Sequence, residues 1–238
     1  MKFLNELEKI KEGLAGIVFP NVCLCCGRET VQKEKYLCSF CLNERFEYAN
    51  TNHKPSSSGV ILPDNVILQQ ALWQFDKGGD LQKLLHALKY NRLTSVGRQL
   101  GQRMAKRLRK RPETQAVLAK KEFLLVPVPL HYLKYRKRGF NQAFTIARGI
   151  EKVTGFEICG IDTVQRQKYT LSQTGFTLEK RIKNMENAFR VRYPARIAQK
   201  NLIIVDDVFT TGSTAFELSK TVKEAGAENI MIWTIAQA

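Results

Sequence analysis

The chain has 238 residues, 44% of them hydrophobic and 25% charged, which fits one substantial globular domain with an appendage and excludes a disordered or fibrous chain. With 38 Lys and Arg against 22 Asp and Glu, its formal net charge is +16. That excess points to a polyanionic partner, nucleic acid or an anionic surface, or more plainly to a solvated basic face beside a small phosphorylated ligand.

In residues 1–20, Phe3, Leu7, Ile10, Leu14 and Ile17 recur three or four positions apart with Glu and Lys between them. This predicts an amphipathic helix, not a signal peptide; it could meet a membrane surface or dock on the neighbouring module. No apolar run is as long as a membrane span needs, so no transmembrane segment is expected and the expected location is cytoplasmic. Cys23-x-x-Cys26 and Cys38-x-x-Cys41 follow. Each pair is a knuckle offering two thiolates, and two knuckles complete a closed, structural zinc site. So small a module has little core, and metal binding would supply its folding energy, apparent values being roughly 10–16 kcal/mol. Cys25 is a fifth thiol nearby, but the regular spacing favours Cys23 and Cys26. Cys159 is expected to be a core thiol. Residues 1–49 are thus read as helix plus four-cysteine zinc finger, and residues 50–65, rich in Ser, Asn, Pro and Gly, as a linker.

Residues 66–76 read as a strand or hairpin arm. Asp80 is placed to cap a helix with Leu81, Leu84, Leu85 and Leu88 on one face. A second helix carries Val96, Leu100, Met104 and Leu108, with Arg and Lys on its other faces. Arg103, Arg107 and Arg111 on those faces are candidate nucleic-acid contacts; a merely wet face is the alternative. Residues 123–129 form a buried strand that must leave the sheet at about Pro127, because proline cannot continue a central strand. Lys137 and Arg138 close a basic stretch and join the nucleic-acid set. Arg138, with Asn141 and Gln142 at the start of the next helix, could equally reach a diphosphate. Residues 161–166 give a second strand, 166–175 a long polar loop of the lid or binding type, 178–185 a short basic helix, 188–193 a strand, and 228–236 the last strand. Alternating strands and helices predict an α/β fold with a mostly parallel sheet.

The stretch on which the chemistry rests is NLIIVDDVFTTGSTAFE, residues 201–217. A buried strand runs into Asp206 and Asp207, then into Thr210, Thr211, Gly212, Ser213 and Thr214, then into a helix. A small hydroxyl-bearing turn at a helix N-terminus is how a chain builds a phosphate site. The two carboxylates repel phosphate but suit neutral hydroxyls beside it, and hydroxyls plus phosphate describe a ribose 5-phosphate. The plainer alternative is an ordinary strand–turn–helix with an acidic cap.

The run VDDVFTTGST resembles the phosphoribosyl-diphosphate (PRPP) motif of type I phosphoribosyltransferases. The resemblance implies that Asp206 and Asp207 hold the ribose, that Thr210 to Thr214 hold the 5-phosphate, and that the loop with Pro129 and His131 takes the pyrophosphate. It further implies that residues 66–238 form a phosphoribosyltransferase-like domain with a twisted sheet. The cysteine knuckles, then KYNRLTSVG, then VPVPLHYLKYRKRGFNQA, then VDDVFTTGST are together similar to the competence protein F family (ComFC-type). That likeness implies single-stranded DNA as a partner, work alongside an ATP-driven DNA translocase of the ComFA type, and docking of the zinc module on it. Few aromatic residues stand out as exposed, so backbone tracking is expected in place of base stacking. The other reading is an active phosphoribosyltransferase using PRPP and Mg, with Asp206 and Asp207 as catalytic residues and no evident acceptor pocket.

Overall fold

The runs Val66–Gln74 (β1), Phe123–Pro127 (β2), Asn201–Phe209 (β5) and Ile230–Gln237 (β6) are apolar along most of their length, as strands covered on both faces must be. In the computed structural model, which describes residues 22–30, 36–49, 61–90, 93–119, 122–170 and 178–238, they form one parallel sheet in the order β1-β6-β5-β2. The predicted helix at 1–20, most of the linker, and residues 171–177 of the lid-type loop lie outside the described residues. The chain divides into two units, Met1–Glu47 and Tyr48–Ala238. Within the first, Ser39–Glu44 (α1) is a short helix whose N-terminus is capped by the Cys38 side chain.

In the second unit the central register aligns Ile204 with Ile232 and Asp206 with Thr234. β1 is a full parallel strand on β6, not a hairpin arm, because the turn after it feeds a helix that carries the chain over the sheet. That helix, Asp80–Tyr90 (α2), buries Leu81, Leu84, Leu85 and Leu88 as expected. Its cap is not Asp80, however. Asp76 reaches forward, its carboxylate accepting from the Leu81 and Gln82 N–H groups at 3.0 and 2.9 Å, while Asp80 pairs with Lys83.

Thr94–Leu108 (α3) packs along Gln142–Thr154 (α6) at backbone contact. A methyl added at Gly101 would stand 2.0 Å from the Ile146 carbonyl oxygen, and one at Gly149 would stand 2.2 Å from that of Arg98. Only two facing glycines let the helices lie so close. Asn141 caps α6, accepting from Ala143 and Phe144 N–H, and anchors it to the sheet by donating to the Val128 carbonyl. Pro112–Leu118 (α4) and Tyr132–Arg138 (α5) are shorter helices on either side of β2 in sequence.

Ser213–Glu224 (α8) shares a core with the sheet: its Leu218 and Val222 cluster with Leu202 and Ile204. The intervening Ile203 and Val205 point to the opposite side, as strand alternation requires. Two predicted strands fall outside the sheet. Val164–Arg166 (β3) and Phe189–Val191 (β4) pair antiparallel with each other, forming a separate small ladder. The exposed edge of β2 is taken instead by residues 157–159, through a bridge at Ile158 and bonds of 2.8 Å from Leu125 N to Glu157 O and from Cys159 N to Leu125 O. Leu178–Met185 (α7) is the expected short helix, and Cys159 is buried as expected. Among the described residues, no helix is long and apolar enough to cross a membrane.

Candidate functional site

The cysteine unit is built by two tight turns. Gly27 N–H donates to the Cys23 carbonyl at 2.9 Å, and Cys41 N–H donates to Cys38 Sγ at 3.4 Å. The four predicted ligands, Cys23, Cys26, Cys38 and Cys41, converge, with all four sulfur atoms within 4.8 Å of one another. A tetrahedral zinc with Zn–S bonds of about 2.3 Å needs sulfur separations of about 3.8 Å. The Cys26–Cys38 separation is 3.7 Å. Burial would raise the Cys23 thiol, but N–H groups of Cys38, Cys25 and Cys26 pull it down to about 6, while burial and its thiol neighbours push Cys41 well up. Sulfurs this crowded cannot all ionise without a cation between them. These four cysteines could hold a zinc ion.

In the other unit the site forms where β5 meets α8. Asp206 and Asp207 sit within the strand, which continues to Phe209, and the Asp206 carboxylate turns back to accept from the Asp207 N–H at 2.8 Å, which keeps the two acids together. Asp206 faces the hydroxyl-rich turn. It lines a small pocket with Phe209, Thr210, Gly212, Ser213, Thr214 and Thr234. Gly212 has φ +76°, and a side chain there would also strike the Phe216 ring. Thr211 donates to Ser213 Oγ at 3.3 Å, bracing the turn from outside. The Thr234 hydroxyl, fully buried at this pocket, has no hydrogen-bond partner among the described residues. A buried donor left open beside a phosphate-type turn is what a ligand oxygen would satisfy.

Asp207 is held by a residue that the sequence carried only within KYNRLTSVG, with no role assigned to it. Lys89, at the end of α2, places Nζ 2.6 Å from Asp207 Oδ2. Burial alone would raise the Asp207 carboxyl, but Lys89 overrides it and holds it below the usual carboxylate range. Burial would lower Lys89, and Asp207 raises it instead. Asp206 is pushed well up by burial and by the charge of Asp207. Burial and mutual repulsion thus work against charge on Asp206, while Lys89 favours it on Asp207.

Cations surround the acids. Arg166, on β3, acts on Asp206, and Arg138, at the end of α5, acts on Asp207. Arg138 also donates to Gln142 Oε1 at 3.0 Å, which aims it across the site. His131 caps α5 and is buried; burial and the charges of Arg166 and Lys134 lower it, so it stands neutral. Lys134 is pushed down to about 8 by burial and by Arg166, Arg138 and Lys89. Four basic residues about two carboxyls make a receptor for a highly charged anion. A bound anion raises Lys134 again, so binding takes up a proton above about pH 8. Pyrophosphate affinity is accordingly expected to fall as pH rises through about 8, and Lys134→Arg to remove that dependence, in titrations one unit below and above.

The remaining predicted residues lie elsewhere. Pro129 lines a separate pocket of about 310 Å³ with Asn141 and Cys159. Lys137 is exposed on α5. Arg103, Arg107 and Arg111 are turned to an internal task. Arg103 donates to the Tyr48 hydroxyl at 2.6 Å, Arg107 lies 4.3 Å from the centroid of the Tyr48 ring, and Arg111 donates to the Ala49 carbonyl at 3.2 Å. In the sequence Lys89 is only the first residue of KYNRLTSVG and Arg166 only the start of the lid-type loop, neither with a role of its own; each belongs to the site because the fold brings its element there.

No family model matches the chain. It is 34% identical to "Competence protein F" of Haemophilus influenzae over 116 residues, 48% of this chain and 50% of that protein. It is 28% identical to "DNA utilization protein YhgH" of Escherichia coli over 219 residues, 91% of this chain and 90% of that protein. "Competence protein ComFC" of Streptococcus pneumoniae is 28% identical over 117 residues, 49% of each chain. The aligned part thus spans about half the length of these two competence relatives and nine-tenths of YhgH. By sequence, the chain is a homologue of the competence protein F, ComFC and YhgH proteins.

Proposed function

We propose that this protein acts in DNA uptake, handling incoming single-stranded DNA in the cytoplasm alongside an ATP-driven translocase of the ComFA type. Its Tyr48–Ala238 unit is a phosphoribosyltransferase-like domain whose pocket takes PRPP or a related phosphorylated sugar. One observation carries the reading: four cations and a hydroxyl-rich turn gather about an acid pair at the carboxyl end of a central parallel strand, where such sheets bind ligands. In this assignment Asp206 faces the ribose hydroxyls, with Asp207 beside it on Lys89, and Thr210 to Thr214 face the 5-phosphate. Arg138, Lys134 and His131 face the diphosphate, whereas Pro129, in its separate pocket, does not. The cysteine unit, held by zinc, is the docking module for the translocase. The likeness to competence and DNA utilization proteins supports the DNA assignment.

The test is calorimetric titration of magnesium PRPP, with and without single-stranded DNA, into the wild type and Asp206→Asn/Asp207→Asn. Charge-assisted hydrogen bonds contribute roughly 1.5–3 kcal/mol each, so the double variant should weaken PRPP binding by about 100-fold or more. DNA binding should survive that change and weaken steeply with salt. Absence of PRPP binding in the wild type would reject the ligand assignment.

One observation favours a second reading, an active phosphoribosyltransferase. Two adjacent carboxyls driven in opposite directions, Asp206 up and Asp207 down, are the pattern of divided acid–base work. Asp207 would steady positive charge developing on the ribose, and Asp206 would hold a proton at its hydroxyls. Magnesium, when bound with PRPP, would neutralise diphosphate charge; an acid pair beside an open anion pocket is a fitting donor set. Release of pyrophosphate from PRPP that is lost in Asp207→Asn would establish this reading over the first.

A further inference from the structure

Exposed aromatic rings are more numerous than expected, Phe40, Tyr135 and Tyr193 among them, and three others gather at the rim of the site just described. Tyr132 keeps 62% of its exposure, Tyr169 51% and Tyr90 49%. These rings are not scattered. His131 lies beneath two of them, with its ring centroid 4.7 Å from that of Tyr132 and 5.3 Å from that of Tyr169. Lys134 Nζ stands 5.6 Å from the Tyr169 centroid, and the Arg138 guanidinium stands 5.4 Å from that of Tyr90. Rings and cations therefore alternate along one rim, and the cations are those that already face Lys89 and the acid pair.

An exposed aromatic face beside a cation fits one kind of polymer well. The base has a flat, apolar face that stacks on tyrosine, and the phosphate next to it along the strand meets the ammonium or guanidinium. A duplex hides its base faces and offers only phosphates, whereas a single strand offers both. Plain anion binding requires none of these rings. We propose that this rim is a base-stacking platform for single-stranded nucleic acid, with Tyr132 and Tyr169 receiving bases while Lys134 and Arg138 receive the intervening phosphates. The proposal rests on the DNA-handling reading above and adds that bases, not only backbone charge, are gripped.

Fluorescence anisotropy at fixed salt tests it with two labelled strands of equal length, oligothymidylate and the same backbone made abasic. The abasic strand should bind the wild type about tenfold more weakly or worse. Tyr132→Ala/Tyr169→Ala should bind oligothymidylate as weakly as the wild type binds the abasic strand, with no further loss on the abasic strand. Tyr132→Phe/Tyr169→Phe should retain the wild-type preference, since the stacking face remains. The salt slope should stay the same throughout, because the phosphate contacts are unchanged. Equal binding of both strands, or an alanine variant that weakens both alike, would overturn the platform and leave DNA handling intact. Competition by free thymidine at the same concentration as the strand's bases would also overturn it, marking a pocket for a lone base. Failure of the wild type to bind either strand would remove the DNA-handling reading and the platform with it.

Discussion

Lys89→Met is expected to destabilise the Tyr48–Ala238 unit by about 3 kcal/mol, and adding Asp207→Asn to it should recover most of that loss. The Asp207 side chain is 7% exposed and its carboxylate lies 2.6 Å from Lys89 Nζ, so removing the ammonium leaves a buried charge with its principal counter-ion gone. Breaking such a pair costs roughly 3–5 kcal/mol when both partners are buried. Lys89 keeps 27% of its side-chain exposure, which lets water reach the site and puts the expected value at the low end. Urea unfolding of the four chains of the cycle measures it. A cost below about 1 kcal/mol with no coupling between the two changes would mean that the pair does not hold the site together. The variant has a second reading in ligand binding. Lys89 ties up Asp207 in the free protein, so a ligand hydroxyl that needs Asp207 must share it with the ammonium. Lys89 thus sets how strongly the second acid can bind.

Removing metal from the purified protein is expected to collapse the Met1–Glu47 unit while the other unit stays folded. Among its described residues, the buried apolar side chains of the cysteine module are Leu37, Leu42 and Phe46 beside Cys23 and Cys41. Apparent zinc energies of roughly 10–16 kcal/mol exceed anything so small a core supplies. Metal analysis should find one zinc per chain, retained by Cys25→Ser and lost by Cys26→Ser and Cys41→Ser. Chelation should make residues 22–49 cleavable by protease. A protein purified without zinc, or a Cys25→Ser variant that loses it as readily as Cys26→Ser, would sink the four-ligand assignment.

Elements governed by local pattern were legible in the sequence. The apolar run ending in Asp206 and Asp207, the break at Pro127, the leucine face of α2 and the cysteine spacing each carry their own signal, because period, proline and metal geometry act over a few residues. Contacts between distant elements were not legible. Lys89 looks like any lysine at the end of a helix, where it merely complements the dipole. Arg103, Arg107 and Arg111 look like a solvated basic face, and only the fold shows Tyr48 and Ala49 lying across them. Tyr132 and Tyr169 are separated in sequence by two helices and a strand, so the rim they share through His131 could not be read from spacing. β3 and β4 were mistaken for sheet strands because a three-residue ladder and the edge of a sheet present the same short alternation.

The strand order β1-β6-β5-β2 has a consequence for how this protein is made. Within the sheet β1 pairs with β6, which is made after the other three strands, while its other side meets a single bridge from Tyr48 to Trp73. The β2–β5 pair, with α6 laid across it, can form while synthesis continues, but β1 waits without its sheet partner until residues 230–237 emerge. Some 160 residues separate the two strands (230 − 66 = 164), which makes their closure slow relative to local helix formation. Throughout that interval an apolar strand edge stands open in the nascent chain, the state in which proteins of this topology most need a chaperone.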